Sequence, residues 1–297
     1  MVMERMDTGP NTDAPRLDLL DTEAVVELLL CAEERVVPAV RASATTIAEG
    51  AVLLGDCIRD GGRVVLIGAG TSGRLAVCEA AELPGTFGLA PQRCVGIMAG
   101  GDHSLAGTDY DEDDVEAGAR AVAAEGLSAG DVVVAVAASG RTPYAVAAAE
   151  TARAAGATVI AVVAAAGSPL AALANVAIEV PTGEEVLRGS TRLTAGTAQK
   201  IVLNALTTSA MARAGRVHGD LMIDVVAANA KLRKRSVAIV AEIAGCPAEA
   251  AYEALTACAW NGRAAVLQLV AGLSPALATE SAAAHHSLRE ALVALEG

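Results

Sequence analysis

The stretch VVLIGAGTSGRLAVCEAAELPGTFG, Val64–Gly88, decides the fold. Its opening VVLIG is apolar and β-branched without polar alternation, the pattern of a strand buried on both faces. Gly68, Gly70 and Gly73 make a turn. TSGRLAVCEAAEL then carries helical spacing and is expected to stop at Pro84, because proline lacks the N–H and restricts the residue before it. Strand, glycine turn and helix together are the first half of a βαβ unit, and a buried strand followed by a helix predicts a parallel sheet.

The same grammar extends outward. RCVGIMAGG (93–101) reads as a second strand, and DHSLAGTDYDEDDVEAGARAVAAEG (102–126) as an acidic segment leading into a helix. DVVVAVAASGRTPYAVAAAETARAAGATVIAVVAAAG (131–167) is strand, loop, helix and strand, and NVAIEV (175–180) is a further strand. The α/β class follows: a parallel sheet of about five strands with helices on both faces. Before it, residues 21–62 have helical spacing interrupted near Pro38, with Asp21 as the expected N-cap. The first sixteen residues read as an irregular arm. A long helix is expected over AQKIVLNALTTSAMARAG (198–215), and from about Arg233 only helical patterns occur. The expected division is an N-terminal arm and helices over 1–55, the sheet domain over 56–232 and a small helical domain over 233–297.

Composition narrows the function. With 297 residues the chain can bury roughly three quarters of its unfolded surface. Aromatic residues are 2% of it, so ring stacking cannot be the main way a ligand is held. A net charge of −13 argues against nucleic acid and anionic membrane as partners, yet backbone N–H groups can still bind a small anion. No long uninterrupted apolar run and no basic-then-apolar leader are read. The six cysteines have no C-x-x-C spacing and read as reduced thiols in a cytoplasmic protein. No metal is expected: there is no H-E-x-x-H, and His285-His286 in an Ala-rich segment reads as solvated rather than ligating. An EF-hand counted from Asp109 fails, because Asp114 and Arg120 stand where Gly and Glu are needed.

Gly68, Gly70 and Gly73 spell G-x-G-x-x-G, but a dinucleotide site also needs an acidic residue about 20 residues on. Here the second strand ends in IMAGGD, about 30 residues on, so NAD and FAD are set aside. More informative is a second loop of the same design, AASGRTPY. Both loops run from a buried strand through small and hydroxyl residues into a helix, and both contain Ser-Gly-Arg. In a parallel sheet both lie at the carboxyl edge, where ligands bind. Gly70, Thr71 and Ser72 in the first, with Ser139, Gly140 and Thr142 in the second, are the candidate binders of a phosphomonoester. The competing reading is that these hydroxyls only cap their helices.

IGAGTSGRL, the E-x-P-x-TFG stretch around Glu82, AGG at Ala99–Gly101, AASGRTPY, GSTR…AGTAQK…LN and LM-x-DVVA-x-N-x-KL occur in this order and spacing. Together they closely resemble the N-acetylmuramic acid 6-phosphate etherases, which belong to the sugar isomerase (SIS) domain proteins; the glucokinase regulatory proteins are a related branch. The resemblance covers most of the chain. It implies cleavage of the lactyl ether of N-acetylmuramic acid 6-phosphate to N-acetylglucosamine 6-phosphate and D-lactate in cell-wall recycling, without metal or nucleotide. It also implies a homodimer with the site near the interface, and hydroxyls of Thr71, Ser72, Ser139 and Thr142 on the 6-phosphate or neighbouring sugar oxygens.

The chemistry needs two carboxyl groups. The C2 proton of the open-chain sugar lies beside an aldehyde and can be removed by a carboxylate; the C3 ether leaves by β-elimination once an acid protonates its oxygen, and water adds afterwards. The resemblance places the acid on Glu82. The family's second glutamate, in E-G-A-E-D, meets YDEDD here, and ungapped spacing puts Asp113 in its place with Glu112 adjacent. Other departures are Gly85 for a proline, Thr194 for a lysine, Asp220 for an asparagine, Ala230 for a glutamate, and TGPN for T-E-x-x-N. They leave open a relative acting on another phosphorylated amino sugar, or a non-enzymatic sugar-phosphate sensor.

Overall fold

Five apolar runs form five strands: β1 (Val64–Gly68), β2 (Cys94–Met98), β3 (Val132–Val136), β4 (Thr158–Val163) and β5 (Val176–Glu179). The computed structural model describes residues 16–101 and 110–296. The arm at 1–15 and the head of the acidic segment at 102–109, Asp109 included, lie outside the described residues. All strands pair in parallel, in the order β2-β1-β3-β4-β5.

Helices α1 (Thr22–Glu33), α2 (Val36–Ala42) and α3 (Ala44–Arg59) precede the sheet; α4 (Gly70–Phe87), α5 (Val115–Ala124), α6 (Pro143–Ala154) and α7 (Pro169–Leu173) connect its strands. Then come α8 (Thr194–Arg213), α9 (Ala230–Ala244), α10 (Ala248–Ala257), α11 (Gly262–Ala271), α12 (Pro275–Ala284) and α13 (Leu288–Glu296). Alternation along the strands sorts the core into two layers. Val64 and Leu66 meet α3, α4 and α8, whereas Val65 and Ile67 meet α5, α6 and α7. A third apolar cluster joins Ile223 and Val225 to the last five helices.

Local signals explain most helix ends. Asp21 caps α1 by accepting from the Ala24 N–H at 2.8 Å. The break near Pro38 falls at Glu34–Arg35, and Pro38 sits in the first turn of α2, where its missing N–H is harmless. The expected stop at Pro84 is corrected: α4 continues to Phe87 with Pro84 in its last turn. Gly88, at φ 63°, ends the helix and returns its N–H to the Pro84 carbonyl at 3.0 Å. The long helix also starts earlier than expected, at Thr194. No single helix among the described residues is long and apolar enough to cross a membrane; the bent pair Thr22–Ala42 and Ala44–Arg59 passes on length and composition alone, and α3 buries Leu54 and Ile58 in the core.

One contact fixes the acidic segment against the second loop. Gly118 of α5 lies so close to α6 that a β-carbon there would stand 2.2 Å from the Tyr144 carbonyl oxygen. Gly118→Ala is therefore expected to push α5 off α6 and cost about 1–3 kcal/mol in urea unfolding. An unchanged midpoint and slope would contradict this packing.

Candidate active site

The crevice lies where the sheet order reverses. The chain leaves β1 towards β2 on one side and later returns to β3 on the other, so the β1 and β3 exits are neighbours at a topological switch point. Gly68 pairs with Val136. A β-carbon at Gly68 would meet the Val136 carbonyl at 2.7 Å and the Gly73 N–H at 2.9 Å, so only glycine lets strand and turn approach this closely.

Both loops end at helix N-termini whose positive ends face the crevice. In the first, Gly70 has φ 54° and begins α4, and the Ala69 N-cap position makes no side-chain cap. Thr71 is half-buried. Ser72 is buried, and its hydroxyl donates to Gln199 Oε1 of α8 at 2.9 Å. In the second, Ser139 Oγ accepts from the Arg141 N–H at 3.2 Å. Gly140, at φ 61°, sits so tightly on Ser168 that a β-carbon would lie 2.1 Å from its hydroxyl oxygen. Thr142 occupies the N-cap position of α6 without making a cap bond. Capping thus does not account for these hydroxyls, and among the described residues those of Thr71 and Thr142 have no hydrogen-bond partner.

The carboxylates divide. The acidic run forms a 3-10 turn, Tyr110–Asp113, packed against α6 and so beside the second loop. Asp113 is exposed there and Glu112 is half-buried; Asp114 caps α5 through the Ala117 N–H at 2.7 Å. The buried Tyr144 phenol is pushed up to about 12, by burial first and then by Asp111 and Asp114, so it stays protonated. Glu82 lies elsewhere. It is exposed and stands twelve positions after Gly70, about 18 Å along α4. The structure does not bring Glu82 together with the hydroxyl loops of its own chain.

The buried carboxylate of α4 is instead Glu79, 4% exposed, which accepts from Lys200 Nζ at 2.7 Å and the Thr207 hydroxyl at 2.6 Å. Sequence reasoning missed it, as it missed Gln199 and Glu185. Glu185 accepts from the Thr194 N–H at 3.0 Å, the Thr194 hydroxyl at 2.8 Å and the Ala195 N–H at 3.0 Å. That carboxylate caps α8 from nine residues upstream and explains its early start. It also gives Thr194 a buried role at the position where lysine was expected. Of the other departures, Asp220 and Ala230 are exposed, and the exposed Gly85 accepts the Val226 N–H at 3.0 Å, bringing the LM-x-DVVA-x-N stretch beside Glu82.

A five-stranded parallel sheet covered by helices, with a crevice at its switch point, is the architecture of a SIS-type fold, and residues 32–164 match the SIS domain. The chain belongs to the N-acetylmuramic acid 6-phosphate etherase family. It is 44% identical to the N-acetylmuramic acid 6-phosphate etherase of Gloeobacter violaceus over 97% of this chain and 94% of that one. The corresponding figures are 43%, 96% and 95% for the Burkholderia lata etherase and 41%, 95% and 95% for that of Klebsiella aerogenes.

Burial separates the two serines. Ser72→Ala leaves Gln199 with neither polar end partnered and should cost about 1–3 kcal/mol, whereas Ser139→Ala should be nearly neutral. Comparison of their urea midpoints checks this, and equal losses would contradict the assignment of Ser72 to the buried seam.

Proposed function

We propose that this chain is a carbon–oxygen lyase that cleaves the lactyl ether of N-acetylmuramic acid 6-phosphate, giving N-acetylglucosamine 6-phosphate and D-lactate by elimination and water addition. The family membership supports the substrate. The observation that carries the site is the pair of uncapped hydroxyl loops at the switch point. Thr71, Ser72, Ser139 and Thr142, with the backbone at Gly70 and Gly140, hold the 6-phosphate between two helix N-termini. This needs neither a metal nor a nucleotide. The reaction belongs to cell-wall recycling in the cytoplasm, and the division at 1–55, 56–232 and 233–297 describes an arm, the sugar-phosphate domain and a helical appendage.

Glu82 supplies the acid that protonates the departing ether oxygen. At about 18 Å along α4 from the phosphate loop, it cannot reach a sugar held by its own chain. The active unit is therefore a two-fold dimer in which the partner subunit's Glu82 completes each site. Support comes from the apolar face left by the N-terminal helices. Val26, Leu30, Val37 and Val52 are exposed, and a groove of about 520 Å³ runs between α2, α3 and α8 past Val37, Ile47 and Ile201. The second carboxylate, Asp113 by spacing, comes from the acidic turn beside the second loop and assists proton removal at C2 or positions the open-chain sugar; the half-buried Glu112 is its neighbour.

Glu82→Gln keeps the shape and removes the acid, so D-lactate release from N-acetylmuramic acid 6-phosphate should fall by about 10²- to 10⁴-fold while substrate binding survives. Asp113→Glu restores the length found in the family and should raise release. Turnover indifferent to both changes would remove the lyase reading.

A further inference from the structure

The edge of the sheet opposite the active site holds a basic centre. A cavity of about 250 Å³ opens where the ends of α3 and α8, the start of β2 and the end of α12 meet, lined by Arg59, Arg93, Arg216, Arg263, His285 and His286. β1, β2 and β3 are each five residues long, so this centre lies about 17 Å from the hydroxyl loops. In a chain of net charge −13, such a concentration of guanidinium groups is against the trend.

Their ion pairs do not balance. Arg59 is paired, with Asp56 at 3.0 Å and Asp60 at 3.2 Å. Arg216 and the buried Arg263 share one carboxylate, Asp224, which lies 3.4 Å from Arg216 Nη1 and accepts a bidentate pair from Arg263. Arg93 has no carboxylate within ion-pair distance among the described residues. Its Nε and Nη2 donate to the carbonyls of Gly62 and Ile58, at 2.6 to 3.2 Å. Arg216 and Arg263 therefore share one anion, and Arg93 has none. Arg93 Nη1, Arg216 Nε and Arg216 Nη2 are left without acceptors among the described residues. The strain is electrostatic: burial first, and then the Arg216 charge, lower the basicity of Arg93.

We propose that this cavity is a binding site for inorganic phosphate or another tetrahedral oxyanion of its size, held by the free donors of Arg93 and Arg216. The volume suits an oxyanion with its waters. Guanidinium forks are suited to such an anion. The bound anion would neutralise the crowded charges and tie the C-terminal helices, through Arg263 and its bonds to the carbonyls of Gly215 and His286, to the sheet domain. Phosphate would thus stabilise the junction between the two parts of the chain without entering the active site.

Calorimetric titration of the full chain with inorganic phosphate, at ionic strength held constant with chloride, tests this. The wild type should show two sites per chain. Ser72→Ala with Ser139→Ala should remove one, and in that background phosphate should still raise the melting temperature. Adding Arg216→Gln should weaken the remaining site at least tenfold, and Arg93→Gln should abolish it. Arg216→Gln leaves Asp224 paired with Arg263, so it decides the matter where Arg93→Gln fails to fold. A remaining site unaffected by the arginine changes overturns the proposal, as does the loss of all phosphate binding with the serines alone. N-acetylglucosamine 6-phosphate bound as tightly as phosphate in the serine background would overturn the restriction to small oxyanions. If the serine changes remove no site while the arginine changes remove one, the hydroxyl-loop reading fails and this one stands.

Discussion

The parallel pairing of β1 with β3, closed at Gly68 against Val136, is the contact on which the rest of the molecule depends. It sets two strand exits side by side, so two helices begin at the same crevice with their unpaired N–H groups turned to the same point. Neither helix spends its loop hydroxyls on a cap. The crevice therefore gathers unpaired backbone donors and loop hydroxyls in a chain whose net charge is −13.

A polar seam between α4 and α8 supports that crevice from behind. Ser72 meets Gln199 at its top and Glu79 meets Lys200 and Thr207 lower down, while Glu185 fixes where α8 begins. Buried polar groups of this kind are costly when unmatched and specific when matched. They lock the register of α8 against α4, and through it the orientation of the first loop. A helix rotated by one residue would leave a carboxylate buried without its ammonium.

Much of this was legible in the sequence, because it follows from short-range pattern: apolar runs for the strands, glycine turns for the crevice, Asp21 for a cap. The misreadings have a common physical cause. Pro84 looked like a terminus, yet one missing N–H in a last turn costs little when Gly88 supplies the true end. The start of α8 depends on a carboxylate nine residues away. Glu79 and Glu82 look alike within CEAAEL, and only the side chains of α8 decide that the first is buried and the second exposed. Motif order placed Glu82 in the active site, but motif order carries no distance. The length of α4 separates that carboxylate from the loops of its own chain, which is the ground for proposing a site shared between two chains.

Mixing two inactive variants shows whether the partner subunit's Glu82 completes the site. Glu82→Gln protein retains its hydroxyl loops, and Ser72→Ala/Ser139→Ala protein retains its acid. When the two are unfolded together and refolded, about half of the dimers should be heterodimers, each with one intact site, restoring about a quarter of wild-type D-lactate release. A mixture no more active than either parent, with heterodimers demonstrated by mass, would show that Glu82 and the hydroxyl loops must belong to the same chain and would contradict the account.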